Sequence, residues 1–455
     1  MIQSPTGASL EEARAFLGAH VEVTAIDIVL SDLHGIGRGK MIRRHELESL
    51  YASGRGMPAS LFAQDVEGHD VAAALETQDD GGGDSRCWPV PGTLGLNLAT
   101  GRGMVLLQMF DGAGAPVPHD PRGAMMAQIA RAEGIGFRPM GAMELEFYLV
   151  DAERDGAGRV QPARMPLGGR RINTTNGMSV DELDEMSPFF EAVYAGADAF
   201  DLPLESLISE YAEGQFELTL RYRGLARAAD DIILTKQLIR TTARRFGMAV
   251  CFMAKPFGER SGSGMHMHLS LTDPAGRNLF ADTAEGALSP LMLQAIGGIR
   301  ALMPETMLIL APVLNSWRRL ASVIYSPASN TWGQEDRIVA LRIPESSAKA
   351  RHFEHRVAGV DANPYLMAAT ILGCALDGIE AKAEPGAAGM DGAGDYAALP
   401  RHWLDAIEIF EASVAMRQIL GAPLHRTLSA IKRSECEKLA AHVTEVEWQL
   451  YGASL

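Results

Sequence analysis

Four stretches of the 455-residue chain carry the apolar, β-branched or alternating pattern of strands, three of them in its first 150 residues. VEVTAIDIVLSD (21–32) alternates and is followed by the turn-forming DLHGIGRGK. MVLLQMF (104–110) is closed by Asp111 and Gly112, and MELEFYLV (143–150) alternates again. Between the second and third, Asp120 and Pro121 read as an N-cap with proline in the first helical turn, and Gly134 as the stop. DDIILTKQLIRTTARRFG (230–247) predicts a helix ended by Gly247, and MAVCFMAKPF (248–257) a strand after it. The Gly-rich runs DDGGGD (79–84) and EPGAAGMDGAGD (384–395) predict loops, the second followed by helices to the C-terminus. Strands and helices mix without a regular βαβ repeat, so the expected class is α+β. A break near residue 119 divides the chain into a small domain, 1–118, and a large one, 119–455.

Composition narrows the function. A hydrophobic content of 47% suits a globular protein, and no apolar run approaches the roughly 20 residues that cross a bilayer. MIQSPTGASLEEARAF has neither a basic start nor an apolar core, so no signal peptide is expected. Cys87, Cys251, Cys374 and Cys436 show no CxxC spacing, which argues against a zinc ribbon or disulfide framework and for a reducing cytoplasm. A formal net charge of −16 argues against nucleic-acid partners and would concentrate small cations near the surface.

The candidate chemistry lies in acids, histidines and arginines. In SGSGMHMHLS (261–270) an extended backbone puts His266 and His268 on one face and Met265 and Met267 on the other. By the same rule Glu144 and Glu146 share a face of a strand whose neighbours Met143, Leu145, Phe147 and Leu149 are apolar. Adjacent buried carboxylates repel unless a cation or proton lies between them. SEYAEGQFE adds Glu210 and Glu217 across a Gly–Gln turn, and HFEHR adds Glu354. Five carboxylates with imidazole predict a hard-cation site suited to Mg2+ or Mn2+ rather than zinc. Arg318, Arg319, Arg337, Arg342 and Arg356 supply the positive charge that a transferring phosphoryl group requires. GIGRGK (35–40) lacks Walker spacing, so a nucleotide is held some other way.

MELEF, SEYAEGQFE, GSGMHMH, NSWRRL, WGQEDRIVALRIP, FEHR and DANPYL, in that order, resemble the glutamine synthetase superfamily over nearly the whole chain. SDLHG, GRGK and PASLFAQD (58–65) look more like its γ-glutamylputrescine synthetase branch. The resemblance implies an N-terminal β-grasp domain and a catalytic domain with a curved antiparallel sheet flanked by helices. It also implies stacked rings of subunits, a dodecamer, with active sites between neighbours. Carried over, one metal would be held by Glu146, Glu210 and Glu217, and the second by Glu144, His266 and Glu354, with two or three ions per site. His268, Glu205, Ser270, Lys349 and His352 would surround ATP. Arg337 and Arg342 would bind phosphate, and Gly262, Arg319 and Arg356 would hold glutamate.

Two departures point to the second substrate. The positions where glutamine synthetases carry the aspartate and glutamate of the ammonium site fall at or near Pro58 and at Tyr325. A proline and a phenol make a poor cage for ammonium but leave room for the methylenes of an alkylamine. The putrescine-type branch carries the same pair. His352 and Ser261 also stand where many relatives have arginine and asparagine, and Tyr396 reads as an ordinary loop tyrosine. The expected activity is therefore ATP-dependent ligation of L-glutamate to a primary amine through γ-glutamyl phosphate, with putrescine or another polyamine leading. Smaller amines (methylamine, ethanolamine, isopropylamine) come second and ammonia third. Tyr325 is a poor base at neutral pH, since a free phenol ionises near about 10, which leaves Glu210 or water to take the amine's proton. A non-catalytic relative and a metal-dependent hydrolase are the competing readings. The filled metal positions weigh against the first, and the arginine and glutamate motifs against the second.

Overall fold

The computed structural model describes residues 4–455 except 79–82, 172–173, 283–286, 322–325, 390–396 and 453–454. Six strands form the N-terminal sheet: β1 (Ala25–Ser31), β2 (Gly37–Arg43), β3 (Arg55–Pro58), β4 (Asp84–Pro89), β5 (Gly95–Asn97) and β6 (Arg102–Phe110). Their order is β2-β1-β6-β4-β3 with β5 on β6, and only the β1–β6 pair is parallel. Helices α1 (Leu10–Ala19), α2 (Leu47–Ser53) and α3 (Ala72–Leu75) accompany it. The expected 21–32 strand is shorter than its pattern, because residues 21–24 form the turn out of α1. The turn after β1 is also tighter than expected, since GRGK already belongs to β2.

MVLLQMF is apolar on both faces because both are covered. Val105, Leu107 and Met109 pack with Phe16, Ile26, Ile28 and Phe62 on one side of β6. Met104 and Leu106 join the core of the large domain on the other. Asp120 caps α4 (Pro121–Gly134) and accepts the Met109 amide at 3.0 Å, tying the helix start to the end of β6.

The large domain is built on nine strands: β7 (Arg138–Asp151), β8 (Leu204–Ser209), β9 (Gln215–Leu220), β10 (Arg223–Gly224), β11 (Met248–Cys251), β12 (Met267–Thr272), β13 (Trp332–Gln334), β14 (Leu341–Ile343) and β15 (Phe353–His355). The order is β13-β14-β15-β12-β7-β9-β8, with β10 and β11 also on β7. The sheet is the expected curved antiparallel one, with β13–β14 as its one parallel pair among the described strands. Around it stand α5 (Val180–Ala199), α6 (Leu225–Arg245), α7 (Pro290–Leu310), α8 (Leu314–Leu320) and α9 (Pro364–Ala381). The C-terminal part is helical: α10 (Trp403–Ala412), α11 (Val414–Leu420), α12 (Ala422–Ala440) and α13 (Glu445–Tyr451). The predicted 230–247 helix starts five residues earlier, at Leu225, and Gly247 follows it with a left-handed φ of 69°. No helix among the described residues is long and apolar enough to cross a membrane.

MAVCFMAKPF forms a strand only to Cys251. Beyond Tyr148 the free edge of β7 is already taken: the Glu146 and Glu144 amides donate to the Gly264 and His266 carbonyls at 3.2 and 3.0 Å. Of the predicted loops, 79–82 and 390–395 lie outside the described residues, while Asp84 opens β4 and 384–389 has no regular structure.

Helices α7 and α9 touch backbone to backbone. A Cβ on Gly298 would lie 2.4 Å from the Cys374 carbonyl oxygen and 2.4 Å from Gly378 Cα. Gly298→Ala is therefore expected to destabilise the protein by at least the roughly 1–3 kcal/mol of an overpacked core. A chemical-denaturation midpoint equal to wild type would contradict so close a crossing.

Candidate active site

The alternation of β7 sorts its side chains. Met143, Leu145, Phe147 and Leu149 enter the core, and Glu144 and Glu146 point to the opposite side. Antiparallel pairing sets Glu217 on β9 directly across from Glu146. Glu210 follows the last residue of β8, and its amide bonds the Gln215 carbonyl across the hairpin. On the other flank, Glu354 on β15 pairs with His268 on β12. His266 precedes β12 by one residue, yet its ring turns to the same side as that of His268. Glu144 receives both: one carboxylate oxygen is 3.0 Å from His266 Nδ1 and the other 2.9 Å from His268 Nε2.

The Gly/Ser run ahead of the histidines serves close approach. A Cβ on Gly264 would lie 2.8 Å from His266 Nε2 and 2.9 Å from Arg319 Nη2. One on Gly262 would lie 2.6 Å from Arg319 Cγ. The Gly264 amide donates to Glu146 at 2.8 Å, so this backbone belongs to the carboxylate cluster.

Charge in the cluster is unevenly answered. Burial works against ionising Glu144, but the two imidazoles overcome it and hold its carboxyl well below the usual range. Glu354 behaves alike, kept at about 2 against burial by His266 and Arg356. Burial also disfavours the His266 cation, yet Glu144 and Glu354 carry it up to about 9. Glu217 has no such partner: burial, then the charges of Glu144 and Glu146, push it up to about 9. Burial and the Glu146 charge raise Glu210 too.

A hard divalent cation suits this donor set. Ligand atoms of Glu144, His268 and Glu354 lie within 4.8 Å of one another. His266 Nδ1 is also within reach, 3.0 Å from Glu144 and 3.2 Å from Glu354. The opposing carboxylates of Glu146, Glu210 and Glu217 repel each other in a way that a cation relieves.

Cationic groups rim the cluster with hydrogen-bonding capacity to spare. Glu354 holds Arg342 at 3.0 Å and also pairs with Arg356, and the Nε of each arginine is buried without a partner among the described residues. Arg319 is buried and, among the described residues, bonds only carbonyls, those of Val357 at 2.8 Å and Arg356 at 3.4 Å. The His352 ring lies 5.0 Å from that of His268, tilted at 60°, its basicity lowered by burial and by that neighbour, and Ser270 shares the His268 side of β12.

Other predicted residues are not gathered in. Glu205 and Lys349 are exposed, the first on β8 and the second in a single 3-10 turn before β15, and Arg337 is exposed beside Glu335. Pro58 ends β3 at the edge of the N-terminal sheet, opposite Asp84. Tyr325 and Tyr396 lie outside the described residues. One contributor was not singled out from the sequence. Gln215 donates to the Gly262 carbonyl at 2.9 Å, to Ser263 at 3.2 Å and to Glu146 at 3.4 Å. Its position two residues before Glu217, on the same face of β9, was the available signal.

Residues 118–451 match the glutamine synthetase catalytic domain. The chain is 35% identical over 452 residues to gamma-glutamylputrescine synthetase PuuA of Escherichia coli (strain K12), spanning 97% of this chain and 95% of that one. It is 32% identical over 383 residues to the glutamate–isopropylamine ligase of a Pseudomonas species, spanning 82% of each. The solved structure "GmaS/ADP complex-Conformation 1" aligns with a TM-score of 0.82 at 26% identity, covering 97% of this chain and 98% of that one.

Protonation of the cluster carries a measurable sign. An isolated glutamate ionises near 4.5, whereas Glu217 in the fold stays protonated up to about 9. The folded state holds the extra proton across that interval, so Glu217 makes stability fall as pH rises through it. His266 acts in the same sense: its contribution is intact below 6.5 and lost through about 9. Buried Lys236, lowered to about 7, acts oppositely, so the comparison to make is with a variant. In Mg2+-free buffer the wild type should lose thermal stability relative to Glu217→Gln as pH rises, and Mg2+ should narrow that gap. Parallel melting profiles for the two proteins would contradict the crowding of charge.

Proposed function

Because the chain belongs to the glutamine synthetase family, we propose that it joins the γ-carboxylate of L-glutamate to a primary amine, splitting ATP to ADP and phosphate, with putrescine or another polyamine as the amine. One observation carries the ligase reading. A crowded carboxylate–imidazole cluster adjoins three arginines, each keeping donors free or bonded only to carbonyls. That is a place for a divalent cation beside a place for anionic substrates. The choice of amine rests on the similarity to the putrescine and isopropylamine enzymes and on Pro58 and Tyr325 standing where ammonium-binding acids are expected.

Glu146, Glu210 and Glu217 would hold one Mg2+ or Mn2+, and Glu144, His266 and Glu354 a second. When bound, such ions neutralise the oxygens of a transferring phosphoryl group. Arg342 and Arg337 would direct their guanidinium groups at the same oxygens. Gly262 admits the substrate backbone beside buried Arg319, and Arg356 offers its free Nε to the glutamate. His268, Ser270 and His352 line the nucleotide side, with Glu205 and Lys349 further out. The glutamate γ-carboxylate attacks the terminal phosphorus of ATP and releases ADP, forming γ-glutamyl phosphate. The amine nitrogen attacks the activated carbonyl, phosphate leaves, and the displaced proton passes to Glu210 or to water. A small monoamine is the second reading, favoured by the isopropylamine relative.

Stacked rings of subunits complete this proposal. Pro58 stands on a different sheet from the cluster, as expected if it serves a neighbour's site. Helix α13 leaves Val446, Trp448, Leu450 and Tyr451 each more than half exposed, an apolar surface that assembly would cover.

Phosphate release with glutamate, ATP, Mg2+ and a panel of amines tests the specificity. Putrescine or a longer polyamine should give the highest kcat/KM, and ammonium matching the best amine would sink the altered-pocket argument. Glu144→Ala should lower kcat by more than the roughly 10- to 100-fold that follows loss of an outer-shell metal partner. Trp448→Asp should reduce the assembly seen by light scattering, and a wild-type monomer in solution would overturn the ring proposal.

A further inference from the structure

A cavity of about 220 Å3 lies at the junction of the two sheets' domains, and none of the proposed metal, nucleotide or glutamate residues lines it. It exceeds the roughly 150 Å3 engineered cavity that admits a benzene ring. Its walls come from the turn after β1, from α6, and from the helices α7, α9 and α12.

The charged groups facing it are unbalanced. Lys236 and Arg240, one turn apart on α6, both overlie the Phe252 ring, with Nζ at 5.5 Å and Cζ at 4.9 Å from its centroid. Lys236 donates to the Val360 carbonyl at 2.6 Å, while Arg240 makes no hydrogen bond or ion pair with any described residue. Opposite them, buried Lys432 is paired with Glu435 at 2.9 Å. The other oxygen of Glu435 meets His34 Nε2 at 2.7 Å, leaving buried His34 Nδ1 without a partner among the described residues. Asp361 Oδ1 is likewise buried and unpartnered. Lys432 is thus answered from behind the wall by Glu435, and Asp361 is the one carboxylate among the lining residues, so Arg240 is left without a counter-charge of its own. Like charges one helical turn apart repel, and burial with the Arg240 charge pushes Lys236 down to about 7. Most of the remaining lining is apolar, including Leu33, Ile36, Leu308 and Leu366.

The cavity wall is also the back of the glutamate-side loop. Val360, whose carbonyl accepts the hydrogen bond from Lys236, donates its own amide to the Ser263 carbonyl at 3.1 Å. Gly359 bridges to Gly264, and Asp361 accepts from Ser316 at 2.8 Å on the short helix that carries Arg319.

We propose that this cavity is an effector site for a small organic monocarboxylate with an apolar or aromatic body, and that occupancy alters glutamate binding through Val360 and Asp361. The carboxylate would answer the excess charge at Arg240 and Lys236, and its body would fill the apolar half. Binding does not depend on the ligase reading, whereas the effect on glutamate rests on it.

The test uses the full chain. Thermal melts are run without ATP, glutamate or amine, adding butyrate, benzoate or phenylacetate, with benzyl alcohol and inorganic phosphate as controls. At least one carboxylate should raise the melting temperature at millimolar concentration, and neither control should. Arg240→Gln should weaken that binding about tenfold, roughly 1.4 kcal/mol. Met253→Trp, at a half-exposed wall residue, should block the cavity and supply the same comparison if Arg240→Gln does not fold. The ligand that binds should change KM for glutamate in the wild type and not in the variant. Absence of any stabilisation by carboxylates, or stabilisation unchanged in both variants, overturns the site. The second outcome would place the carboxylate in the active site. A bound carboxylate that leaves KM for glutamate unmoved overturns the coupling while leaving the ligase reading intact.

Discussion

The site depends on one strand having two incompatible faces. The odd-numbered residues of β7 from Met143 to Leu149 are buried in the core, each side chain contributing about 1.5–3 kcal/mol by leaving water. That burial offsets the cost of collecting Glu144 and Glu146 on the other face beside Glu217. A slip of one residue would exchange the faces and drive carboxylates into the core, so the register is fixed. β9, β12 and the extended segment ahead of β12 all take their positions from β7, and with them come Glu217, His268, Gly264 and His266.

Glu354 organises the opposite flank. Buried almost completely, it answers His266, Arg342 and Arg356 together, which sets one imidazole and two guanidinium groups in place with a single carboxylate. Each arginine then keeps a buried Nε–H unpaired among the described residues, a donor left for a further acceptor. Arg319 differs in kind: held by carbonyls and pressed against Gly262, it makes no ion pair with a described residue and feels the Glu146 and Asp361 carboxylates only at longer range.

What was legible in the sequence follows from locality. The parity of Glu144 and Glu146, and of His266 and His268, is a property of extended backbone and needs no tertiary knowledge. The hairpin that returns Glu217 to Glu146 was marked by Gly214 and Gln215, although the part played by the Gln215 side chain was not. The early end of the 248–257 strand could not be foreseen, because it depends on which distant segment claims the edge of β7. Glu205, Lys349 and Pro58 illustrate the other limit: motif matching named them, and within one chain nothing binds them to the cluster. The junction cavity was invisible for the same reason, since His34, Arg240, Asp361 and Lys432 are neighbours only after folding.

Under the proposed metal assignment, protons and divalent cations would compete for the same groups in this cluster. A carboxyl kept protonated by its neighbours, as Glu217 is, must lose that proton before it can coordinate, and an imidazolium such as His266 must do the same. Metal loading on the proposed ligands would therefore release protons and strengthen with pH across the interval in which the metal-free fold weakens. The two trends would have one origin, the excess of negative charge on the outer face of β7. A substitution that removes this excess would stabilise the metal-free protein and weaken its hold on the proposed ions in the same step. Stability without a cation and affinity for one would thus be opposed by construction.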